Sequence, residues 1–410
     1  MSSFLSGAPT DNGFLPANQR LIYGIETATT ITDAFRFIVQ VFEDGTEIGK
    51  YYLAPNVQEV AYFDLGALVK DRVEPDTSPY GDASSILFAY DSNYLTRSNG
   101  NVKKYEVKIG EWNGSSETLA QATKTLYLIG GREQTSSGLH PSFSEFYGTS
   151  ATSKFWLSDY PLTGSAIEIK ARDEDEGYLA FLNRSTISNA TQLVYTIYYA
   201  SGSPASTAVT INTTNGAQLP TATSPTAGFL VYAAAMPATL EELGFTLTNW
   251  SSVTIVPYDA TLNQKGRVLR IVRDCKSGRQ EATQLAFNNS RGGWDYLSFE
   301  GKRVATYTSE DKPYKPVAGT WNAASFALPS FTAEERYFHK EASEKFQLRG
   351  IYSESEMQVV KALFMAKKVY IRLDNWLPVL VDESSLQITK DSSRLFQVSF
   401  SVKLAQTLRC

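Results

Sequence analysis

Residues 35–53 read FRFIVQVFEDGTEIGKYYL and predict a β-hairpin. In the first half, apolar side chains recur at every second position, which is the period of a strand with one buried face. Asp44-Gly45 follows, a dipeptide that favours a tight two-residue hairpin turn, and Ile48 begins a returning strand. Short alternating segments of this kind, separated by turn residues, recur along the 410 residues. The sequence therefore predicts an all-β fold.

The length of the chain predicts more than one domain, because a single hydrophobic core rarely organises more than about 250–300 residues. We expect tandem β-sandwich modules, the third of which is a sandwich or a small barrel. The expected division is an N-terminal arm at 1–20, a first module at 21–133, a linker at 134–154, a second module at 155–294 and a third module at 295–410.

One α-helix is expected in the third module. Ser353 and Glu356 have the spacing of a capping box, with Ser353 as the N-cap. One face of the following helix is apolar, at Met357, Val360, Leu363 and Phe364. We expect this face to pack on the sheet that contains the terminal strand, 395–404. A second capping box at residues 239–242 predicts a short helix in the second module that ends at Gly244.

The chain has few side chains that could act in catalysis. The chain contains 2 histidines and 2 cysteines. His140 and His339 fall in different segments, so neither has a nucleophile predicted beside it, as acyl transfer requires. Cys275 and Cys410 do not form a metal-binding pattern. We expect no enzymatic activity, no cofactor and no metal site. The paired carboxylates of a glycosidase would meet only in space, and since no local feature of the sequence favours them, a glycosidase is the least favoured alternative.

Charge and hydropathy limit the partners. The formal net charge is −5 and is spread along the chain, so the sequence does not predict nucleic-acid binding. No apolar run approaches the roughly 18 residues that predict a membrane span. The first ten residues, MSSFLSGAPT, lack the basic and apolar regions of a signal peptide, so we expect the chain to be made and assembled in a cytoplasm.

The densest acidic run is Asp173-Glu174-Asp175-Glu176. Carboxylates at alternating loop positions are typical of calcium sites, so calcium is one interpretation. Gly177 is not followed by a glutamate at the spacing of such a loop. We therefore favour a solvated hairpin tip.

Three tryptophans lie next to turn residues, at Trp112, Trp250 and Trp376. Aromatic rings at loop tips can stack on sugars, and tryptophan is enriched in protein interfaces. These three residues are the candidate interface or glycan contacts.

Residues 289–299 read NSRGGWDYLSF. We expect Gly292 and Gly293 to permit a tight turn, and Trp294, Tyr296 and Phe299 to anchor the strand that follows. The segment resembles an Asn-x-x-Gly-Gly-aromatic-Asp-aromatic-x-x-Phe signature of structural proteins from tailed bacteriophages, particularly those that infect Bacteroidota.

The resemblance implies a structural virion protein of the phage tail, and it brings no catalytic residues with it. We expect a tail-end or baseplate ring subunit that assembles with itself as a symmetric homo-oligomer and with other tail proteins. The alternative is a host receptor-binding or glycan-binding module of the adsorption apparatus.

Overall fold

The computed structural model describes residues 4–9, 11–28, 30–73, 94–97, 101–131, 143–183, 190–211, 229–274, 282–314, 324–325, 336–390, 395–405 and 408–409. His140, Cys275 and Cys410 lie outside the described residues, as do residues 134–142 of the predicted linker at 134–154. Within the described ranges the chain is all-β, so the predicted fold class is confirmed.

Strands dominate the described residues. The first nine are β1 (Phe4–Gly7), β2 (Gly13–Pro16), β3 (Ile22–Glu26), β4 (Arg36–Glu43), β5 (Thr46–Leu53), β6 (Ala61–Asp64), β7 (Leu95–Arg97), β8 (Val102–Trp112) and β9 (Glu117–Ile129). The next eight are β10 (Leu162–Thr163), β11 (Ala166–Ala171), β12 (Tyr178–Leu182), β13 (Gln192–Tyr199), β14 (Ala205–Thr210), β15 (Leu230–Ala234), β16 (Trp250–Tyr258) and β17 (Val268–Arg273). The last eight are β18 (Thr283–Asn288), β19 (Trp294–Phe299), β20 (Val304–Tyr314), β21 (Arg336–Tyr352), β22 (Val369–Arg372), β23 (Trp376–Lys390), β24 (Phe396–Leu404) and β25 (Leu408–Arg409).

Three α-helices interrupt the described strands: α1 (Leu65–Val69), α2 (Pro237–Glu242) and α3 (Met357–Phe364). Among the described residues, no helix is long and apolar enough to cross a bilayer.

The N-terminal strands form a sandwich around the predicted hairpin. Strands β4 and β5 pair antiparallel up to Glu43 and Thr46, and both turn residues have positive φ, +47° at Asp44 and +89° at Gly45. This geometry matches the twist of a two-residue hairpin. The sheet runs β2-β9-β8-β4-β5, and a second sheet, β1-β3-β6, shares its core. Burial of the alternate residues Phe37, Val39 and Val41 confirms the hairpin prediction.

Two further sheets follow. The larger has the order β10-β11-β17-β16-β13-β14, in which β11 and β17 are parallel. The smaller is β12-β15-β7, and every residue of β12 and β15 is buried. Strand β7 comes from the first predicted module but pairs with β15 of the second. These two parts of the chain are therefore interleaved through one sheet.

By its contacts the chain divides into two compact units. The first comprises residues 1–277, 286–297 and 355–367, and the second comprises 278–285, 298–354 and 368–410. Helix α3 groups with the first unit and β24 with the second, so the expected packing of this helix on the terminal sheet is not confirmed. The three-module boundaries stay a prediction.

The second unit contains the strands β22-β23-β24-β21-β20 in that order, with β25 beside β21. Strands β21 and β24 pair in a register that puts Leu348 opposite Phe400, both fully buried. The rings of Phe299 and Phe400 meet edge to face, with centroids 5.1 Å apart. Apolar and polar residues thus alternate along the strand and give this sheet one buried apolar face, as the sequence predicted.

Both predicted capping boxes are wrong in detail. Helix α3 begins at Met357 after an N-cap at Glu356 that makes no side-chain capping bond, so Ser353 is not the N-cap. Helix α2 begins earlier than predicted, because Pro237 occupies its first turn, where a proline is well tolerated. Thr239 therefore lies inside the helix, and its Oγ1 accepts a hydrogen bond from the Gly177 N–H.

Helix α3 buries five side chains: Met357, Val360 and Leu363 belong to the predicted apolar face, and Val359 and Ala362 do not. Val360 and Leu363 are fully buried, whereas Phe364 is half-buried and Lys361 is exposed. The apolar face is therefore centred on Leu363 and not on Phe364.

Candidate functional site

The signature segment forms a tight turn between β18 and β19. The Asn289 N–H donates to the carbonyl of Gly293 at 3.0 Å, and the Gly292 N–H donates back to the carbonyl of Asn289 at 3.2 Å. The Asn289 side chain stabilises the same turn, since its Oδ1 accepts from the N–H groups of Arg291 at 3.0 Å and Gly293 at 2.9 Å. Gly292 has φ +83°, which favours glycine. We call residues 289–293 the signature turn.

The signature turn is bonded to residues 157–160, a segment more than 130 positions earlier in the chain. Asn289 Nδ2 donates to the carbonyl of Leu157 at 2.8 Å. The Ser290 N–H donates to Asp159 Oδ2 at 2.7 Å, and the Ser290 hydroxyl donates to Asp159 Oδ1. Arg291 Nη1 lies 3.4 Å from Asp159 Oδ1 and supplies a positive charge beside this carboxylate. We call residues 157–160 the strap.

A second carboxylate ties the strap to β19. Asp295 Oδ1 accepts from the Ser158 hydroxyl at 2.7 Å, and Asp295 Oδ2 accepts from the Asp159 N–H at 2.7 Å. Asp295 is 0% exposed and Asp159 is 2% exposed. Burial, and then the neighbouring Asp159 carboxylate, raise the pKa of Asp295 to about 7. The site therefore holds a carboxyl group that changes charge near neutral pH.

Glycines let the end of β9 touch the signature turn. A Cβ on Gly131 would lie 2.7 Å from the carbonyl carbon of Arg291, and one on Gly292 would lie 2.5 Å from Ile129 Cγ2. The Asn101 amide connects both segments, since Nδ2 donates to the carbonyl of Gly292 and Oδ1 accepts from the Gly130 N–H. Backbone approaches backbone here with no room for a side chain.

The aromatic residues of the signature are buried, as expected. Trp294, Tyr296 and Phe299 are each at most 2% exposed. The Tyr296 hydroxyl accepts from the Tyr178 N–H at 3.0 Å, and a Cβ on Gly177 would lie 2.6 Å from the Tyr296 ring. These rings therefore fix β19 in place and are not available to a ligand.

The three candidate tryptophans lie in different surroundings. Trp250 is 1% exposed, and its Nε1 donates to Asp173 Oδ1 at 2.8 Å. The expectation of an exposed ring at a loop tip is wrong here, because the residue begins β16 and packs inward. Trp112 and Trp376 are half-buried, and Trp112 meets the Tyr52 ring edge to face at 6.5 Å. Trp112 and Trp250 belong to the first unit and Trp376 to the second.

The acidic run is not a solvated hairpin tip along its whole length. Asp173 and Glu174 are exposed, whereas Asp175 and Glu176 are buried. Asp175 Oδ2 accepts from the Arg172 N–H at 2.8 Å, and Asp173 forms an ion pair with Arg273. The side chains of this run therefore hold the loop that follows β11 in place. Among the described residues, no cluster of three or more His, Cys, Asp or Glu side chains could hold a metal ion.

Two clefts flank the signature turn. The larger, about 280 Å³, is bounded by Asn18, Gly130, Gly131, Asn288, Asn289, Ser290, Ala362, Met365 and Lys367. The smaller, about 190 Å³, is lined by aromatic, cationic and aliphatic side chains that include Phe146, Lys154, Trp156, Tyr160, Leu162 and Arg291. We call the larger one the carboxamide cleft, since three asparagines line it.

Sequence reasoning missed the strap and the cleft. Nothing in Ser158-Asp159 stands out locally, because the partner Asp295 lies 136 residues away. The one signal was the aspartate between two aromatic residues at positions 294–296, which is an unusual place for a charge on a buried strand.

No protein-family model matches the chain, and a comparison with curated proteins finds no similar sequence.

The buried carboxyl of Asp295 predicts a falling stability as pH rises. Its pKa is raised from 3.8 to about 7 by folding, so the folded chain binds the proton more tightly than the unfolded chain. The stabilisation by this proton is complete below the unfolded value and is lost as pH passes through about 7. We expect the free energy of unfolding of the whole chain to decrease between about pH 4 and pH 7 through this group, as measured by urea denaturation.

Asp295→Asn should remove this decrease, because the amide does not titrate and its Nδ2 can donate to the Ser158 hydroxyl oxygen. Asp259→Asn is the matched control. Several hydrogen bonds lower the pKa of Asp259, so this residue changes the pH dependence of the unfolding free energy only at acidic pH. An Asp295→Asn variant that keeps the wild-type slope would contradict the assignment.

Gly292→Ala tests the contact between the signature turn and β9. Both Gly292 and Gly244 have a left-handed φ, +83° and +92°, but a Cβ on Gly244 meets nothing within 4 Å. Gly244→Ala should cost the backbone strain alone, about 1–2 kcal/mol. Gly292→Ala adds a clash with Ile129 to the same backbone strain, so it should lower the unfolding free energy more than Gly244→Ala does. Equal losses in thermal or urea unfolding would show that the close approach is not needed.

Proposed function

We propose that the chain is a structural subunit of a bacteriophage tail, acting by self-assembly in a tail-end or baseplate ring. The observation that carries the proposal is the signature at residues 289–299, which resembles phage structural proteins and forms the bonded centre of the first unit. In this proposal the protein is assembled in the bacterial cytoplasm and resides in the virion tail. Its partners are further copies of itself and other tail proteins.

The shape of the sheets supports an assembly role. Each larger sheet ends in strands with a free edge in the described chain, among them β5, β14 and β20. Free edges and exposed rings such as Tyr62, which is 64% exposed, are suited to symmetric contacts between subunits. The absence of enzymatic activity stays a prediction.

Mass spectrometry of purified virions, combined with electron microscopy of the particles, tests the proposal. We expect the chain in particles at a copy number that is a multiple of the tail symmetry, and absent from tail-less capsids of the same preparation, which serve as the control. Intact tails that lack the chain would overturn the proposal.

The second candidate function is glycan binding by the adsorption apparatus. The carboxamide cleft favours it, because carboxamides offer donors and acceptors to sugar hydroxyls. Of the three tryptophans expected to make such contacts, only Trp112 and Trp376 remain partly accessible. The cleft is a better-formed site than either isolated ring.

A further inference from the structure

The carboxamide cleft is assembled from parts of the chain that lie far apart in sequence. Asn18 follows β2, Gly131 follows β9, Asn288 precedes the signature turn, and Met365 follows α3. The Asn18 N–H donates to the carbonyl of Gly131 at 3.1 Å, so two of these walls are bonded to one another. All of them belong to the first unit. Contacts within the first unit therefore form the cleft before any ligand binds.

Its polar atoms combine free donors with free acceptors. Asn18 uses Oδ1 to accept from Lys367 Nζ at 3.0 Å, and Asn288 uses Nδ2 to donate to the carbonyl of Gly293 at 3.2 Å. Within the described residues, this leaves Asn18 Nδ2 as a donor and Asn288 Oδ1 as an acceptor. A ligand that can both donate and accept is required to satisfy the two.

The charges of the cleft disfavour an anion. Lys367 is the cation among the described residues that line it, and its ammonium already donates to Asn18 Oδ1 and, at 3.4 Å, to the carbonyl of Lys70. The cleft also lies at the C-terminal end of α3, where the helix carries partial negative charge. No carboxylate lines the cleft in the described chain, so a cation has no counter-charge.

An apolar surface completes the cleft. Ala362 and Met365 lie on one side, and Met365 is 55% exposed. A methionine adapts its shape to the groups that pack on it. The volume, about 280 Å³, is just below the roughly 300 Å³ at which pockets for drug-sized molecules begin. The occupant is therefore small, with hydroxyl groups on one side and C–H groups on the other.

We propose that the carboxamide cleft binds one neutral sugar ring of a glycan. Asn18 Nδ2 donates to a sugar hydroxyl, Asn288 Oδ1 accepts from a neighbouring hydroxyl, and Met365 packs on the C–H face of the ring. Binding by one such cleft is weak, and a symmetric assembly multiplies it through avidity. The inference rests on the proposed tail location in two respects only: the gain in avidity from a symmetric assembly, and the source of the glycan.

Saturation-transfer difference NMR on the full chain tests the site with D-glucose, D-galactose, N-acetylglucosamine and L-rhamnose as separate probes. D-Glucuronate is the matched anionic probe, since it differs from glucose by a carboxylate. We expect at least one neutral sugar to receive saturation and glucuronate to bind more weakly than glucose. Tighter binding of glucuronate, or no transfer to any of the four neutral sugars, would overturn the proposal.

Substitutions in the carboxamide cleft test whether the sugar binds there. Asn18→Ala removes one hydrogen bond and should weaken the sugar roughly 2- to 12-fold. Met365→Ala removes the apolar contact and should weaken it as well. Asn375→Ala is the matched control on an exposed turn of the second unit, and it should bind as the wild type does. Circular dichroism confirms that each variant is folded.

Unchanged affinity in both cleft variants, or a loss in Trp112→Ala instead, would place the sugar elsewhere and overturn the inference. A chain found in virions that binds no sugar contradicts this inference alone. Sugar binding by a chain absent from virions contradicts the tail role alone.

Discussion

The structure of the first unit depends on a carboxyl group held in a dry interior, that of Asp295. Its two oxygens accept hydrogen bonds from the Ser158 hydroxyl and the Asp159 N–H, and neither has access to water. Removal of a buried partner leaves the other group unsatisfied, which costs about 1–3 kcal/mol for each bond. These bonds join the strap to β19, and Ser290 joins the strap to the signature turn through Asp159, so a change at one of the three is transmitted to the others. The same bonds fix one wall of the carboxamide cleft.

A polar centre of this kind gives a β-protein a unique register. Apolar faces alone permit a strand to shift by two residues and still bury its side chains, whereas buried hydrogen bonds have one matching arrangement. The glycines at 131 and 292 extend this constraint to the end of β9, because backbone there lies against backbone. A rigid arrangement suits a subunit that must present identical surfaces in every copy. It also suits a small binding cleft, which gains affinity when it need not be ordered by its ligand.

Periodicity was sufficient to predict the hairpin at 35–53 and the all-β class, because alternation and the Asp44-Gly45 turn are local signals. The signature at 289–299 was also recognisable, and the burial of its aromatic residues followed from their type. The sequence did not predict that Asp159 would meet Asp295, since a contact between residues 136 positions apart leaves no local pattern. The turn residues before Trp250 predict an exposed ring, but tertiary packing buries it. Ser353 has the right spacing for a cap, yet the helix begins four residues later.

Hydrogen–deuterium exchange of the full chain, followed by mass spectrometry of peptides that cover 157–160 and 289–296, tests most directly whether the bonded centre holds the first unit together. The account predicts that these amides exchange only when the first unit unfolds as a whole, as slowly as the central strands β8 and β13. The hairpin tip at Asn113–Ser116 provides the fast reference within the same sample. Exchange of the strap and the signature turn at the rate of that tip, while β8 and β13 stay protected, would contradict the account.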